Sequence, residues 1–323
     1  MKISIAMATY NGARYIQDQL QSFVAQTRQP NELIITDDCS IDETETIVRE
    51  FAKTAPFNVK FYRNEMNLGY TGNFNSALMK TTGDLVFLSD QDDVWFPEKI
   101  RHMIRVAESN PEALVIMNDA ALTDSYLNYV GLTKLGQICS AGFSQKSFLM
   151  GCCCGVRREL LDFCMPIPLG FKGHDNWLVW VADGLDAKVV DEAVLQYYRR
   201  HESNESQFIA NRTTKVTRIN VLMHLLKSLF QRDSAIKVQI QLEQLQFFVD
   251  GLSELGRKAP ENYRNQLKAL EEQYRESIDA MKCRVAVRDK WLFLRIGAAI
   301  SLFVRGGYRN ANGLRSVIRD IVG

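Results

Sequence analysis

Four short strand-like stretches, at residues 3–8, 33–35, 59–62 and 85–88, are separated by segments whose apolar residues recur at helical spacing. Ile16, Leu20, Phe23 and Val24 make one helical stripe, Ile47, Val48 and Phe51 a second, and residues 72–79 a third helix. Strands that alternate with helices in this way predict a parallel α/β sheet with right-handed crossovers. That sheet also constrains the chemistry, because ligands of such folds gather outside the carboxyl ends of the strands. Thr9, Asp38, residues 67–75 and the acidic cluster at 90–93 all fall on that edge.

The cluster lies in Phe87-Leu88-Ser89-Asp90-Gln91-Asp92-Asp93-Val94-Trp95, where an apolar strand delivers three carboxylates to its tip before Pro97, a residue suited to a first helical turn. Crowded carboxylates raise one another's pKa, so at a buried strand end they are costly unless a cation neutralises them. Hard oxygen ligands favour Mg²⁺ or Mn²⁺. The same residues also fit a solvated acidic turn.

Further along, Ile100, Met103, Ile104 and Ala107 continue a helix, 113–117 reads as a strand, and 119–146 has no steady period. Residues 159–163 form a short helix ended by Pro166 and Pro168. A loop at 170–176 then feeds an apolar helix at 177–182, and strands follow at 188–191 and 194–198, the second running into Arg199-Arg200-His201-Glu202-Ser203-Asn204. From about residue 211 the pattern is helical, with Val216, Ile219, Leu222, Met223, Leu226 and Leu229 on one stripe and Leu242, Leu245, Phe248, Val249 and Leu252 on another. Residues 261–290 are polar, and a helical hairpin packed on the α/β core is the expected form. Two regions result, 1–210 and 211–323.

The net charge of +1 hides a division between them. Residues 1–210 carry 19 Lys+Arg against 27 Asp+Glu, and 211–323 carry 20 against 11. The acidic part suits a metal or polar substrate, and the basic part suits an anionic surface. No nucleic-acid partner is expected. Residues 291–304 are apolar and aromatic around Arg295, with Arg288, Lys290, Arg305 and Arg309 at the flanks. Too short to span a bilayer, which takes roughly 20 residues, the segment fits either a helix lying in an anionic membrane interface or a plain buried helix. Seven cysteines without paired metal spacing, including Cys152-Cys153-Cys154 in an apolar context, read as reduced core thiols. Met1-Lys2-Ile3 enters a strand directly, so no signal peptide is expected and the cytoplasm is the expected location.

Residues 5–12 (Ile-Ala-Met-Ala-Thr-Tyr-Asn-Gly), Asp37-Asp38-Cys39-Ser40-Ile41-Asp42, Asn67-Leu68-Gly69 and the 87–95 stretch together resemble the motifs of inverting glycosyltransferase family 2, over roughly residues 1–205. Ser89-Asp90-Gln91-Asp92-Asp93-Val94-Trp95, His174-Asp175-Asn176-Trp177-Leu178 and 198–204 are similar to a narrower subgroup, the bacterial rhamnosyltransferases that build O-antigen, capsule and cell-wall polysaccharides. The resemblance implies a GT-A fold: a mostly parallel, Rossmann-like sheet with helices on both faces, here followed by a helical carboxyl-terminal region.

It also implies roles. Thr9, Tyr10 and Asp38 match positions on the nucleobase and ribose, and an aspartate can accept the N3–H of uracil or thymine, which cytosine lacks. Asn67 and Asn75 match nucleotide contacts, with a turn role open for Asn67 beside Gly69. Asp90 and Asp92 match the family's DXD pair, Asp92 as metal ligand and Asp90 on ribose or metal-bound water. Asp93 either caps the following helix or orients the others. Asp175 matches the general base, or else caps the helix after it. His174 stands where the family pattern has an acidic residue, leaving open whether it binds acceptor or orients Asp175. His201 is expected to complete the metal shell or touch the diphosphate, and Arg199 and Arg200 to neutralise that diphosphate or pair with surface carboxylates. The implied reaction is an inverting transfer from dTDP-L-rhamnose to a lipid-diphosphate-linked glycan at the inner membrane. A UDP-hexose donor is the alternative, and a non-catalytic nucleotide-sugar-binding scaffold the reading from another class.

Overall fold

A computed structural model describes residues 1–202, 204, 209–229, 234–288, 290–308, 316–317 and 320–321, with 224–229, 234–237 and 292 as backbone alone. Ser203 and Arg309, and the side chains of Leu226 and Leu229, lie outside that description. The first half runs β1 (Ile3–Thr9), α1 (Ile16–Val24), β2 (Glu32–Asp37), α2 (Thr44–Thr54), β3 (Asn58–Arg63), α3 (Gly69–Leu78), β4 (Leu85–Ser89), β5 (Val94–Trp95) and α4 (Lys99–Ser109). There follow β6 (Val115–Thr123), β7 (Tyr129–Thr133), α5 (Lys134–Ser140), β8 (Cys154–Arg157), α6 (Arg158–Cys164), α7 (His174–Gly184) and β9 (Lys188–Arg199). The chain ends with α8 (Arg218–Leu229), α9 (Ser234–Lys258), α10 (Glu261–Arg288) and α11 (Leu292–Val304).

One sheet has the order β3-β2-β1-β4-β8-β6-β9-β5, with β7 beside β6. Its first four strands are parallel, as the βα alternation requires. Beyond β4 the sheet is mixed: β8 runs antiparallel to β4 and β6, β9 is parallel to β6, and β5 is antiparallel to β9. Every residue of β1, β2 and β4 is buried or nearly so, which explains why their sequences are unbroken apolar runs and not alternating ones. On one face Ile5, Met7, Leu33, Ile35, Leu85 and Phe87 pack with Leu20 and Phe23 of α1, and with Trp95, Ile100 and Met103.

Several expectations need correction. Residues 113–117 extend into a strand reaching Thr123, and all nine of its residues are buried, so no alternation betrays it. Within the stretch that lacked a period lie β7 and α5 as well. The expected strands at 188–191 and 194–198 are one strand, whose register against β6 shifts around Asp119. There Asp191 accepts the Ala193 N–H in a local kink. The helix at 177–182 starts earlier, so His174 and Asp175 are its first residues and Gly173, at φ 95°, precedes them.

The chain divides into two compact units, Met1–Ile167 with Lys172–Arg218, and Pro168–Phe171 with Ile219–Gly323. In the second, α9 and α10 form a hairpin in which Phe248 meets Tyr274 edge-on, ring centroids 4.8 Å apart.

Phe87 is fully buried beneath the acidic tip, 5.7 Å from the Trp95 ring. Phe87→Ala should therefore destabilise the first unit by about 3–5 kcal/mol. Urea unfolding followed by Trp fluorescence checks this, and a change below about 1 kcal/mol would show that the site's floor is not packed as described.

Candidate active site

At the edge of the parallel strands, the ends of β1 and β2 are laced by their own side chains. Asp37 is fully buried and accepts the Thr9 hydroxyl at 2.9 Å and the Ser40 N–H at 2.9 Å. Asn11 (φ 46°) and Cys39 (φ 66°) both adopt the left-handed region beside this lacing, where non-glycine residues carry strain. Asp42 binds the Ala13 and Thr44 N–H groups, so it pins the neighbouring loop as well as the first turn of α2. Asp38, only 2% exposed, receives the Leu68 N–H at 2.8 Å and the Asn64 amide at 2.9 Å, both on Oδ1. Its Oδ2 accepts nothing from the described residues.

The β1 loop is tied to the acidic loop by one side chain that the sequence reading passed over. Gln91 accepts the Tyr10 N–H and donates to the Tyr10 carbonyl, each at 2.9 Å. Gly12 lies directly beneath it, and a Cβ there would displace the Gln91 amide, which it would approach to 2.1 Å. Tyr10 itself is half exposed at the rim.

The three carboxylates have separate surroundings. Asp93 is fully buried and accepts Gln196 Nε2 at 2.9 Å and the Arg199 N–H at 3.3 Å, so it fastens the loop to β9 and does not cap α4. Asp92 receives His201 Nε2 at 2.8 Å and the Asn204 amide at 3.1 Å, and the His201 ring stacks on Tyr15. Asp90 is half-buried and pairs with no basic side chain among the described residues. Burial first, then Asp92, Asp93 and Asp175, hold its pKa well above the usual carboxylate range, against the lowering influence of the Cys152 thiol, whose Sγ lies within 4.8 Å. Asp93 is pushed up to about 7 by burial and Asp92.

Asp175 reaches the same place from α7. Its Oδ2 accepts the Gly151 N–H at 3.1 Å and its Oδ1 the Asn176 N–H at 2.9 Å. Gly151 and Cys152 belong to one 3-10 turn, so a single turn braces Asp175 on one side and the acidic cluster on the other. His174 makes no bond to Asp175. Its ring stacks on Phe74 at 3.7 Å, and neither nitrogen has a partner among the described residues. Burial lowers its pKa, which keeps it neutral.

Two expected contacts, of Thr9 and Asn75, turn out otherwise, and Arg199 takes the carboxylate pairing. The Thr9 hydroxyl is spent on Asp37 and the residue is buried, so it shapes the strand end and presents no hydroxyl to a base. Asn75 accepts the Ile167 N–H away from the strand ends, and the α3 residue that reaches them is Asn73, which donates to the Thr9 carbonyl at 3.0 Å. Two positions apart on a helix face different ways, which spacing alone could not decide. Arg199 is 4% exposed, with its guanidinium on Asp18 at 2.7 Å, the Asp92 carbonyl at 2.9 Å and the Ser125 carbonyl at 3.2 Å. It braces the acidic loop. Asn67 takes the turn role, accepting the Gly69 N–H and donating to the Asp38 carbonyl.

Among the described residues, the group of three metal-capable side chains whose ligating atoms lie within 4.8 Å of one another is Asp90, Asp93 and Cys152. The Cys152 thiol is held well above its ordinary pKa by burial, so it stays protonated and is a brace, not a ligand for a hard cation. The carboxylates fit a divalent cation because their mutual repulsion is uncompensated at Asp90, and His201 with Asp92 stands alongside.

Residues 4–163 match the family described as Glycosyl transferase family 2. The chain is 28% identical over 236 residues to an uncharacterized glycosyltransferase of Nostoc sp., covering 67% of this chain and 70% of that one. It is 27% identical over 218 residues to the dTDP-rhamnosyl transferase RfbG of Shigella flexneri, 62% and 73%. With WfgD of Escherichia coli, named a UDP-Glc:alpha-D-GlcNAc-diphosphoundecaprenol beta-1,3-glucosyltransferase, it shares 25% over 184 residues, 56% and 68%. Mycobacterial relatives at 34% identity are matched over 33% of their length. Residues 1–349 of TarS from S. aureus, solved with UDP, share the fold with a TM-score of 0.53 at 17% identity, covering 86% of this chain and 90% of that one.

Because Asp90 and Asp93 hold protons that the unfolded chain releases, the cation-free protein should lose stability as pH rises from about 4 through about 7. A bound cation must displace those protons, so its apparent affinity should rise over the same window, by up to roughly tenfold per pH unit for each proton released. Calorimetric titration with Mg²⁺ at pH values spanning about 5 to 7, in buffers of different ionisation enthalpy, reads the affinity and the protons released. Affinity independent of pH would contradict the assignment.

Proposed function

We infer the reaction from one premise: the chain belongs to glycosyltransferase family 2 and is a glycosyltransferase. It moves a sugar from a nucleoside diphosphate to a glycan acceptor of surface-polysaccharide synthesis. The donor we propose is dTDP-L-rhamnose, on the likeness to RfbG, and the acceptor a lipid-diphosphate-linked glycan at the cytoplasmic leaflet. The observation that carries this reading is a continuous run of contacts along one sheet edge. It passes from Asp38 through Thr9, Tyr10 and Gln91 to the acidic loop, and by way of Cys152 and Gly151 to Asp175. With neighbouring strands about 4.8 Å apart, the ends of β2 and β4 lie roughly 10 Å apart, the scale of a nucleoside diphosphate.

In the reaction, Asp175 takes the proton of an acceptor hydroxyl, and the freed oxygen attacks the anomeric carbon. The bond from that carbon to the diphosphate oxygen breaks, its electron pair leaves with the diphosphate, and configuration inverts. The Gly151 N–H and the α7 amino end aim the Asp175 side chain from one direction. Asp38 Oδ2 accepts the N3–H of thymine or uracil. Asp90 and Asp92, with His201 beside them, would hold the divalent cation, Mg²⁺ or Mn²⁺, whose chemistry is to neutralise charge on a diphosphate. Crowding at Asp90 supports that assignment.

A second donor, UDP-glucose or another UDP-hexose, is favoured by the likeness to WfgD and is equally compatible with Asp38. A binder without catalysis has no use for Asp175 beside the acidic loop.

Asp175→Asn should leave nucleotide affinity within about twofold and lower transfer by at least about 100-fold, the scale of a general base. Turnover of dTDP-rhamnose and UDP-glucose on isolated lipid-linked glycans, with the anomeric configuration read by NMR, tests both. Undiminished transfer by the variant would remove Asp175 from this role, and retained configuration would exclude a single displacement.

A further inference from the structure

α11 carries an apolar surface that its own unit leaves in water. At 100° per residue, Phe303, Ile296, Ile300, Phe293, Val304 and Leu294 fan over about half the helix circumference. All six are exposed, Phe293 by 88% and Val304 by 79%, and Trp291 just before the helix is 84% exposed. Soluble chains rarely leave so contiguous an apolar patch uncovered. The opposite side of the helix is the buried one: Ala298, Ala299 and Leu302 pack with Val287, Tyr308 and Val317.

That inner packing is fixed by charge. Asp320 is fully buried and accepts Arg284 Nε at 2.7 Å and Arg288 Nε at 2.8 Å, so α10 and the chain end clasp α11 between them. Breaking such a clasp to bury the outer face would strand a buried charge. The exposed face is therefore a built feature of this unit.

What covers it is indicated by the charge around it. Residues 284–323 hold eight Lys+Arg against two Asp and no Glu. Lys290 at one end of the helix and Arg305 at the other are exposed, and Arg295 folds back onto the Lys290 carbonyl. A second copy of this chain would bring the same positive set against itself. An anionic surface complements it, and long basic side chains at helix ends extend to lipid headgroups while the apolar face enters the acyl boundary. The helix is about 20 Å long, and no described helix is long and apolar enough to cross a membrane. We propose that α11 is an in-plane docking helix for an anionic lipid bilayer. The proposal stands on the second unit alone and is independent of the donor assignment.

The full-length protein should co-sediment with vesicles of equimolar phosphatidylcholine and phosphatidylglycerol, and only weakly with phosphatidylcholine alone. Added salt should weaken binding, since surface charges are screened. Phe293→Ser combined with Ile300→Ser should reduce vesicle binding by about tenfold or more. Both sites are solvent-facing, so helicity and nucleotide binding should be unchanged in that variant. Lys290→Glu with Arg305→Glu should remove the preference for the anionic vesicle. Equal binding to both vesicles, or binding that the Phe293/Ile300 variant retains, overturns the proposal. So does a wild-type dimer that binds neither vesicle and dissociates in that variant, which would assign the face to a second copy.

Discussion

The repulsion among Asp90, Asp92 and Asp93 at the tip of β4 is the constraint around which the first unit is built. Placed at a sheet edge with Asp175 nearby, these carboxylates cannot all be ionised without compensation. The fold supplies part of it. Gln196 and the Arg199 N–H bind Asp93, His201 and Asn204 bind Asp92, and the Cys152 thiol lies within 4.8 Å of Asp90 and Asp93. Buried Lys99 lies below, over the Trp95 ring and bonded to the Cys152 carbonyl. Asp90 pairs with no basic side chain and receives no hydrogen bond from nitrogen among the described residues, and that asymmetry is what makes the cluster a candidate cation site instead of a structural knot.

The parallel half of the fold was legible because strands buried on both faces have to be apolar throughout, and the turns after them have to be polar. The same physics hid the second half. β6 is buried along its whole length yet contains Asn118, Asp119 and Thr123, so neither an apolar run nor an alternation marks it. β9 looked like two strands because Asp191 interrupts the apolar pattern at the point where its register against β6 shifts.

In the site, the strand-end position of Asp38, Asp90 and Asp92 followed from topology, and no long-range pairing was needed to see it. Arg199 takes the carboxylate pairing of its two expected roles, a choice nothing local decides because its partner Asp18 is 181 residues away in sequence. Asn73 was missed for Asn75 because helix phase relative to the sheet is a tertiary fact. Gln91 carried a readable signal: an amide between two acidic residues, facing a Thr-Tyr-Asn-Gly turn, can both donate to and accept from a backbone. The brace by Gly151 and Cys152 had none, since Cys152-Cys153-Cys154 reads as core on composition.

If Asp90 shares a cation with a diphosphate, the two ligands must bind cooperatively, and the coupling must be the same measured from either. Calorimetric titration of dTDP and UDP into the full-length protein, with and without Mg²⁺ or Mn²⁺, measures it directly. At least one nucleotide should bind about tenfold or more tightly with the cation present, a coupling of roughly 1.4 kcal/mol, and Asp92→Asn should abolish the difference. Equal affinity with and without cation, for both nucleotides and both metals, would contradict the account.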